Sequence, residues 1–85
     1  MAFYRKRPVV IEAQRITVNN LDQIASWCKG SVKGICLPLH EQVIDIQTLE
    51  GEMRADVGDW IIKGVKDEFY PCKPEIFDLT YEVVA

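Results

Sequence analysis

The sequence predicts a small α+β domain built on a mostly antiparallel sheet, with one helix from the N-terminal half packed on a face. Three observations predict it. Leu21, Ile24, Ala25 and Cys28 occupy the i, i+3, i+4 and i+7 positions of a single amphipathic helix. Short β-branched and aromatic runs, bounded by Gly, Pro, Asn or Asp, fill most of the remaining chain. No Ser/Gly linker, repeat or low-complexity tract interrupts the 85 residues, so 1–85 reads as one domain.

Residues 9–17 open the fold as a strand, with Val9, Ile11 and Ala13 sharing one face. Asn19-Asn20 offers an N-cap, and Gln23, three residues after Asn20, completes a capping-box pattern. The apolar stripe follows, and Gly30 is placed to end the helix in a left-handed conformation. Residues 32–37 form the next strand, which stops at Pro38. Residues 42–49 and 52–57 make a hairpin about Glu50-Gly51. Gly58-Asp59 interrupts the pattern before a second hairpin, 60–63 with 68–70, about a turn at 64–67. Pro74 begins one short helical turn through Phe77, because proline suits the first helical position. Leu79, Tyr81 and Val83 then alternate with Thr80, Glu82 and Val84, the pattern of a closing strand.

With 48% hydrophobic and 27% charged residues, the composition excludes disorder and fibres. A chain this short buries only roughly 60% of the surface its unfolded form exposes, so self-association would help it and a homo-oligomer is expected. Ten Lys+Arg against thirteen Asp+Glu leave a net charge of -3, which argues against general binding to duplex phosphates or anionic membrane. The charge is uneven. Arg5, Lys6, Arg7 and Arg15 make a basic N-terminal patch, and Glu75, Asp78 and Glu82 an acidic C-terminal one; complementary strands or subunits account for this as well as DNA does. No run approaches the roughly 20 apolar residues of a membrane span. The basic opening leads only to Val9-Val10-Ile11 before Glu12, which is no secretory signal, so a cytoplasmic location is expected.

Cys28, Cys36 and Cys72 are odd in number and unpatterned, so reduced thiols are expected. Together with His40 they could supply four zinc ligands, but the tight Cys-x-x-Cys knuckle is missing and Cys28 falls on the apolar helix face. No metal and no cofactor are expected. His40, beside Pro38 and Glu41, reads as an exposed loop histidine.

Residues 58–77 concentrate aromatic, charged and turn residues. Trp60, Phe69, Tyr70 and Phe77 can build apolar walls, and Asp59, Lys63, Lys66, Glu68 and Lys73 carry polar groups of both signs, the mixture found in pockets for small polar ligands. Aromatic faces stack on a base, and lysines meet phosphates as point charges. Phe69 and Phe77 read as core residues, since large apolar groups lie inside; Trp60, Tyr70 and the lysines fit either role. The ligand-binding set expected here is Asp59, Trp60, Lys63, Lys66, Glu68, Tyr70 and Lys73.

The opening Phe3-Tyr4-Arg5-Lys6-Arg7-Pro8-Val9-Val10-Ile11-Glu12-Ala13, the stretch Gly58-Asp59-Trp60-Ile61-Ile62-Lys63-Gly64-Val65-Lys66 and the run Glu68-Phe69-Tyr70-Pro71-Cys72-Lys73-Pro74-Glu75-Ile76-Phe77 resemble a family of small proteins of phages and prophages. The resemblance covers nearly the whole chain. Val57 replaces a frequent proline, and Asp67 stands where glycine is common, which weakens the expected turn at 64–67. The resemblance implies a phage accessory protein acting in the host cytoplasm, and it transfers no catalytic residue. Counter-defence by capture of a nucleotide-type host signal is the first expectation, since sequestration requires a site with stacking and phosphate contacts but no catalytic constellation. The alternative is a protein-binding inhibitor of a host enzyme or defence protein, anchored by Trp60 and Tyr70. An enzyme would draw on Asp59, Glu68 or His40, whose spacing announces no mechanism.

Overall fold

The runs of β-formers fold into two three-stranded antiparallel sheets in the computed structural model, which describes residues 1–5 and 7–84. In chain order the elements are β1 (Glu12–Arg15), α1 (Leu21–Trp27), β2 (Ser31–Lys33), a 3-10 turn (Leu39–Glu41), β3 (Val43–Thr48), β4 (Gly51–Asp56), β5 (Trp60–Lys63), β6 (Phe69–Cys72) and α2 (Pro74–Thr80). One sheet has the order β1-β5-β6 and the other β2-β3-β4. The α+β class and the antiparallel pairing stand, but there are two sheets in place of one and a second helix near the C-terminus.

That helix takes the first two positions of the expected closing strand, Leu79 and Thr80. Pro74 sits in its first turn, Phe77 N–H donates to Lys73 O and Tyr81 N–H to Phe77 O, so the alternation at 79–84 is read by helix through Thr80. No strand forms at 81–84. The strand expected at 32–37 ends at Lys33, where Gly34 adopts φ +85° and the chain turns through Leu37 N–H to Gly34 O. The β3–β4 turn falls at Leu49-Glu50, one residue earlier than expected. Thr48 pairs with Gly51, the Thr48 hydroxyl donates to Gly51 O, and Gly51 takes φ +109°.

Both ends of α1 differ from the pattern that predicts it. Asn20 makes no side-chain bond into the helix; its Oδ1 accepts from Thr17 N–H and its Nδ2 donates to Arg15 O, tying the helix entry to β1 instead. At the other end Lys29, and not Gly30, holds the left-handed conformation (φ 60°), while Lys29 N–H bonds Ser26 O and Gly30 N–H bonds Ala25 O in a Schellman closure. Gly30 is required for a different reason. A Cβ there would stand 2.7 Å from Asp45 O, so glycine lets the helix exit pass against β3.

The two sheets and α1 share one apolar cluster. Leu21, Ile24, Ala25 and Cys28 from the predicted stripe meet Ile16, Ile44, Ile46, Ala55, Ile61 and Phe69, with Trp27, Val32 and Val57 packed around them. Trp27 sets its edge on Phe69 at 5.1 Å between ring centroids. Cys28 is buried here, as its place on the stripe predicts, and its thiol is pushed upward in pKa by desolvation. Each fully buried isoleucine contributes about 1.5–3 kcal/mol relative to exposure, which makes this cluster the main source of stability.

Candidate functional site

Sheet β1-β5-β6 has two working faces. Ile61 and Lys63 point to one side and Trp60 and Ile62 to the other, because side chains alternate along a strand. Ile61 enters the main cluster, whereas Ile62, equally buried, lies outside it. Pairing places Ala13 and Tyr70 beside Ile62, and Arg15 and Cys72 beside Trp60. This second face carries a row of aromatic rings. Trp60 stacks on Phe77 of α2 with centroids 4.0 Å apart and planes within 4°, and Phe77 stacks in turn on Tyr81 at 5.0 Å. Tyr81 hydrogen-bonds Tyr70, whose hydroxyl is pushed up to about 12 in pKa, first by burial and then by that bond. Phe77 thus belongs to an outer stack and not to the main cluster, and one face of Trp60 is covered by the protein itself.

Asp59 and Lys73 meet just beyond the paired ends of β5 and β6. Asp59 is 5% exposed. Its Oδ2 accepts from Asp56 N–H at 2.9 Å and from Lys73 Nζ at 3.0 Å, and Lys73 Nζ also reaches Asp56 Oδ2 at 3.3 Å. Gly58 makes this possible. It takes φ +100°, its N–H donates to Ile16 O, and Ile16 N–H donates to Asp59 O, so the turn is stitched to the end of β1. The Gly-Asp dipeptide and the Lys-Pro dipeptide therefore form two halves of one clasp, which fixes the β4–β5 turn to the entry of α2. Hydrogen bonds first to Asp59 and then to Asp56 raise the Lys73 pKa.

The β5–β6 hairpin arranges its charges locally. Gly64 N–H donates to Glu68 O and Asp67 N–H to Gly64 O, which closes a three-residue loop with Asp67 at φ 62°. Aspartate tolerates that left-handed position, so the loop forms without the glycine common at this point. Glu68 Oε2 accepts from Lys66 N–H, and its side chain lies where a Cβ on Gly64 would have to be. Lys63 pairs with Asp67 at 3.6 Å. The side chain of Lys66 is exposed.

Two grooves border this sheet. The larger, of about 600 Å³, runs between the N-terminal arm (Arg7 to Ile11) and the tail (Thr80 to Val84, Val83 excepted), over Gly64, Val65, Glu68 and Tyr70. The smaller, of about 340 Å³, lies between the β3–β4 turn and β6, lined by Leu49, Met53, Phe69 and Pro71 among others. Glu68 and Tyr70 line both.

Of the seven residues expected to bind ligand, Asp59 and Lys73 are thus brought together, and Glu68 and Tyr70 share the grooves. Asp59, Trp60, Lys63, Lys66 and Lys73 line neither groove. The sequence pattern does not mark Tyr81, Asp56 or the arm as neighbours of the site. Tyr81 was legible in principle, since Phe77 and Tyr81 stand one helical turn apart behind an N-terminal proline. Cys36 is exposed and Cys72 half-buried, with the Cys72 thiol raised in pKa by desolvation and then by Asp59 and Glu75. Among the described residues no group of three or more His, Cys, Asp or Glu side chains is placed to hold a metal ion, and no helix is long and apolar enough to cross a membrane. No family model matches the chain, and no curated protein or solved structure matches it significantly.

Proposed function

We propose that the protein is a phage-type accessory protein of the host cytoplasm that works by capture without turnover, and that it captures a host polypeptide, a defence protein or an enzyme that it inhibits by occupying it. The observation that carries this reading is the apolar surface left outside the core at both termini. Tyr4 is 95% and Val83 96% exposed, and Phe3, Val10, Leu79 and Val84 are exposed as well. Exposed apolar surface among charges marks interaction sites, and here Val10 and Val84 line a groove with tyrosines on its wall, the residue type enriched at interfaces. The resemblance to small phage proteins agrees with such a role.

The contacts around the lysines favour a polypeptide over an anionic nucleotide. Lys73 is held by two carboxylates and Lys63 by Asp67, while Glu68 and Glu82 line the larger groove with Arg7. A phosphate there would face two carboxylates and one guanidinium. One observation favours the nucleotide-type ligand as a second reading: a groove of about 600 Å³ edged by Tyr70 and Tyr81 is within the size range of small-molecule sites.

Co-purification from bacterial cells expressing the tagged chain separates the two. A single host protein recovered at near-equal molar amount, and lost with the folded double variant Tyr4→Ser/Val83→Ser, is the result expected. Calorimetric titration that finds tight 1:1 binding of a nucleotide second messenger, with no host protein retained, replaces it with the second reading.

A further inference from the structure

The N-terminal arm and the C-terminal tail are complementary in charge, and the described charges of neither make an ion pair. Residues 5–7 are Arg5, Lys6 and Arg7, and the chain from residue 75 onward carries Glu75, Asp78 and Glu82. Among the described residues the ion pairs are Lys63–Asp67, Lys73–Asp56 and Lys73–Asp59, and none joins arm to tail. The two segments flank one open groove, with Arg7 on one wall and Glu82 on the other.

The exposed area is also too large for a chain of this size. A folded monomer of this mass exposes roughly 5,100 Å², whereas this one exposes 6684 Å², an excess of about 1,500 Å². The radius of gyration tells the same story, at 14.1 Å against about 12 Å for a compact chain of this length. A stable dimer of standard size removes about 800 Å² from each partner, so the excess is sufficient for one.

We infer that the polypeptide the groove receives first is a second copy of this chain, the basic arm of each copy lying along the acidic tail of the other about a two-fold axis. The inference rests on the proposal that this surface takes a polypeptide, and it names the occupant when no host protein is present: the second copy and the host protein compete for the same surface. Two-fold exchange satisfies both copies at once, because each supplies one positive and one negative segment, and an isologous contact closes without leaving an edge to propagate. Phe3, Tyr4 and Val10 of one copy then have Leu79, Val83 and Val84 of the other to cover, so the apolar and ionic parts of the contact coincide.

A charge-swap experiment tests this. One variant carries Arg5→Glu and Arg7→Glu, the other Glu75→Lys and Glu82→Lys. All four positions are exposed, so circular dichroism should show both variants folded. Multi-angle light scattering at about 50 µM should give a dimer mass for the wild type, monomer mass for each variant alone, and a dimer mass again when the two are mixed in equal amounts, since only the mixed pair restores both contacts. A monomeric wild type, variants that remain dimeric alone, or a mixture that stays monomeric overturns the inference. If the wild type is monomeric and still retains its host protein, the second-copy assignment fails while the capture reading stands; if it retains none, both fail.

Discussion

The segment 58–77 and the two termini look alike in composition, each dense in aromatics and charge, yet the fold uses them in opposite ways. In the segment up to Lys73 the charged side chains other than Lys66 are spent on contacts within it and with Asp56. Asp59, Asp56 and Lys73 close the clasp, Lys63 holds Asp67, Glu68 caps its own loop, and Trp60 lies flat on Phe77. In the arm and tail Phe3, Tyr4, Val10, Leu79, Val83 and Val84 are exposed and the described charges are unpaired with each other. A dense, distinctive motif thus marks where the chain must be held together, and the plainer ends carry the surface with unmet contacts.

The sharpest way to break this comparison is to remove Asp59. Asp59→Ala should cost about 2 kcal/mol of unfolding free energy, because Asp56 N–H loses its charged acceptor at a buried position, while the half-exposed Lys73 ammonium returns to water and adds little. Urea denaturation reads the loss directly, and a change below about 0.5 kcal/mol would make the clasp incidental. Phe77→Ala comes next, at about 1–2 kcal/mol, since it removes the middle ring of the stack from a half-buried position.

The alkaline limb sharpens the same contrast. Tyr70 has its folded pKa raised to about 12, above the ordinary value of 10.0. Its contribution to stability is therefore complete below pH 10 and is lost as pH rises toward 12, because the unfolded chain ionises first. Lys73, whose pKa is also raised, loses its contribution in the same direction as the solution becomes more alkaline. Urea midpoints for wild type and Tyr70→Phe should converge between pH 10 and 12, the wild type falling faster; parallel curves would show that the hydroxyl is not shielded.

The smallest effect on stability belongs to the termini. Measured at about 1 µM, where the wild type is dissociated, Tyr4→Ser and Val83→Ser should each move the unfolding free energy by less than about 0.5 kcal/mol, as exposed positions do, while abolishing association at higher concentration. Thermal melts with light scattering on the same samples show whether the two properties separate.

Helix α1, the β3–β4 hairpin and the β5–β6 hairpin were legible because their signals are local: the spacing of Leu21, Ile24, Ala25 and Cys28, and turn residues between alternating runs. A closing strand is not what forms at 79–84, although Leu79, Tyr81 and Val83 fit a period of two, because the helix that Pro74 begins runs past Phe77 to Thr80. The division into two sheets was not legible, since pairing Glu12 with Lys63 and leaving β2-β3-β4 apart depends on contacts far apart in sequence. The clasp was hidden for the same reason. Asp59 and Lys73 were both singled out, but as ligand contacts, because nothing local says that the register of β5 on β6 brings them to 3.0 Å.

Hydrogen–deuterium exchange of the wild-type chain over a dilution series tests most directly whether the termini, and not the clasp, form the binding surface. Raising the concentration from about 1 to about 100 µM should slow exchange in the arm up to Ile11 and in the tail from Leu79 to Val84, and leave the turn around Asp59 unchanged, because association alters exchange only where it covers backbone. Protection that gathers around Trp60 and the β3–β4 turn while arm and tail stay flat would contradict the account.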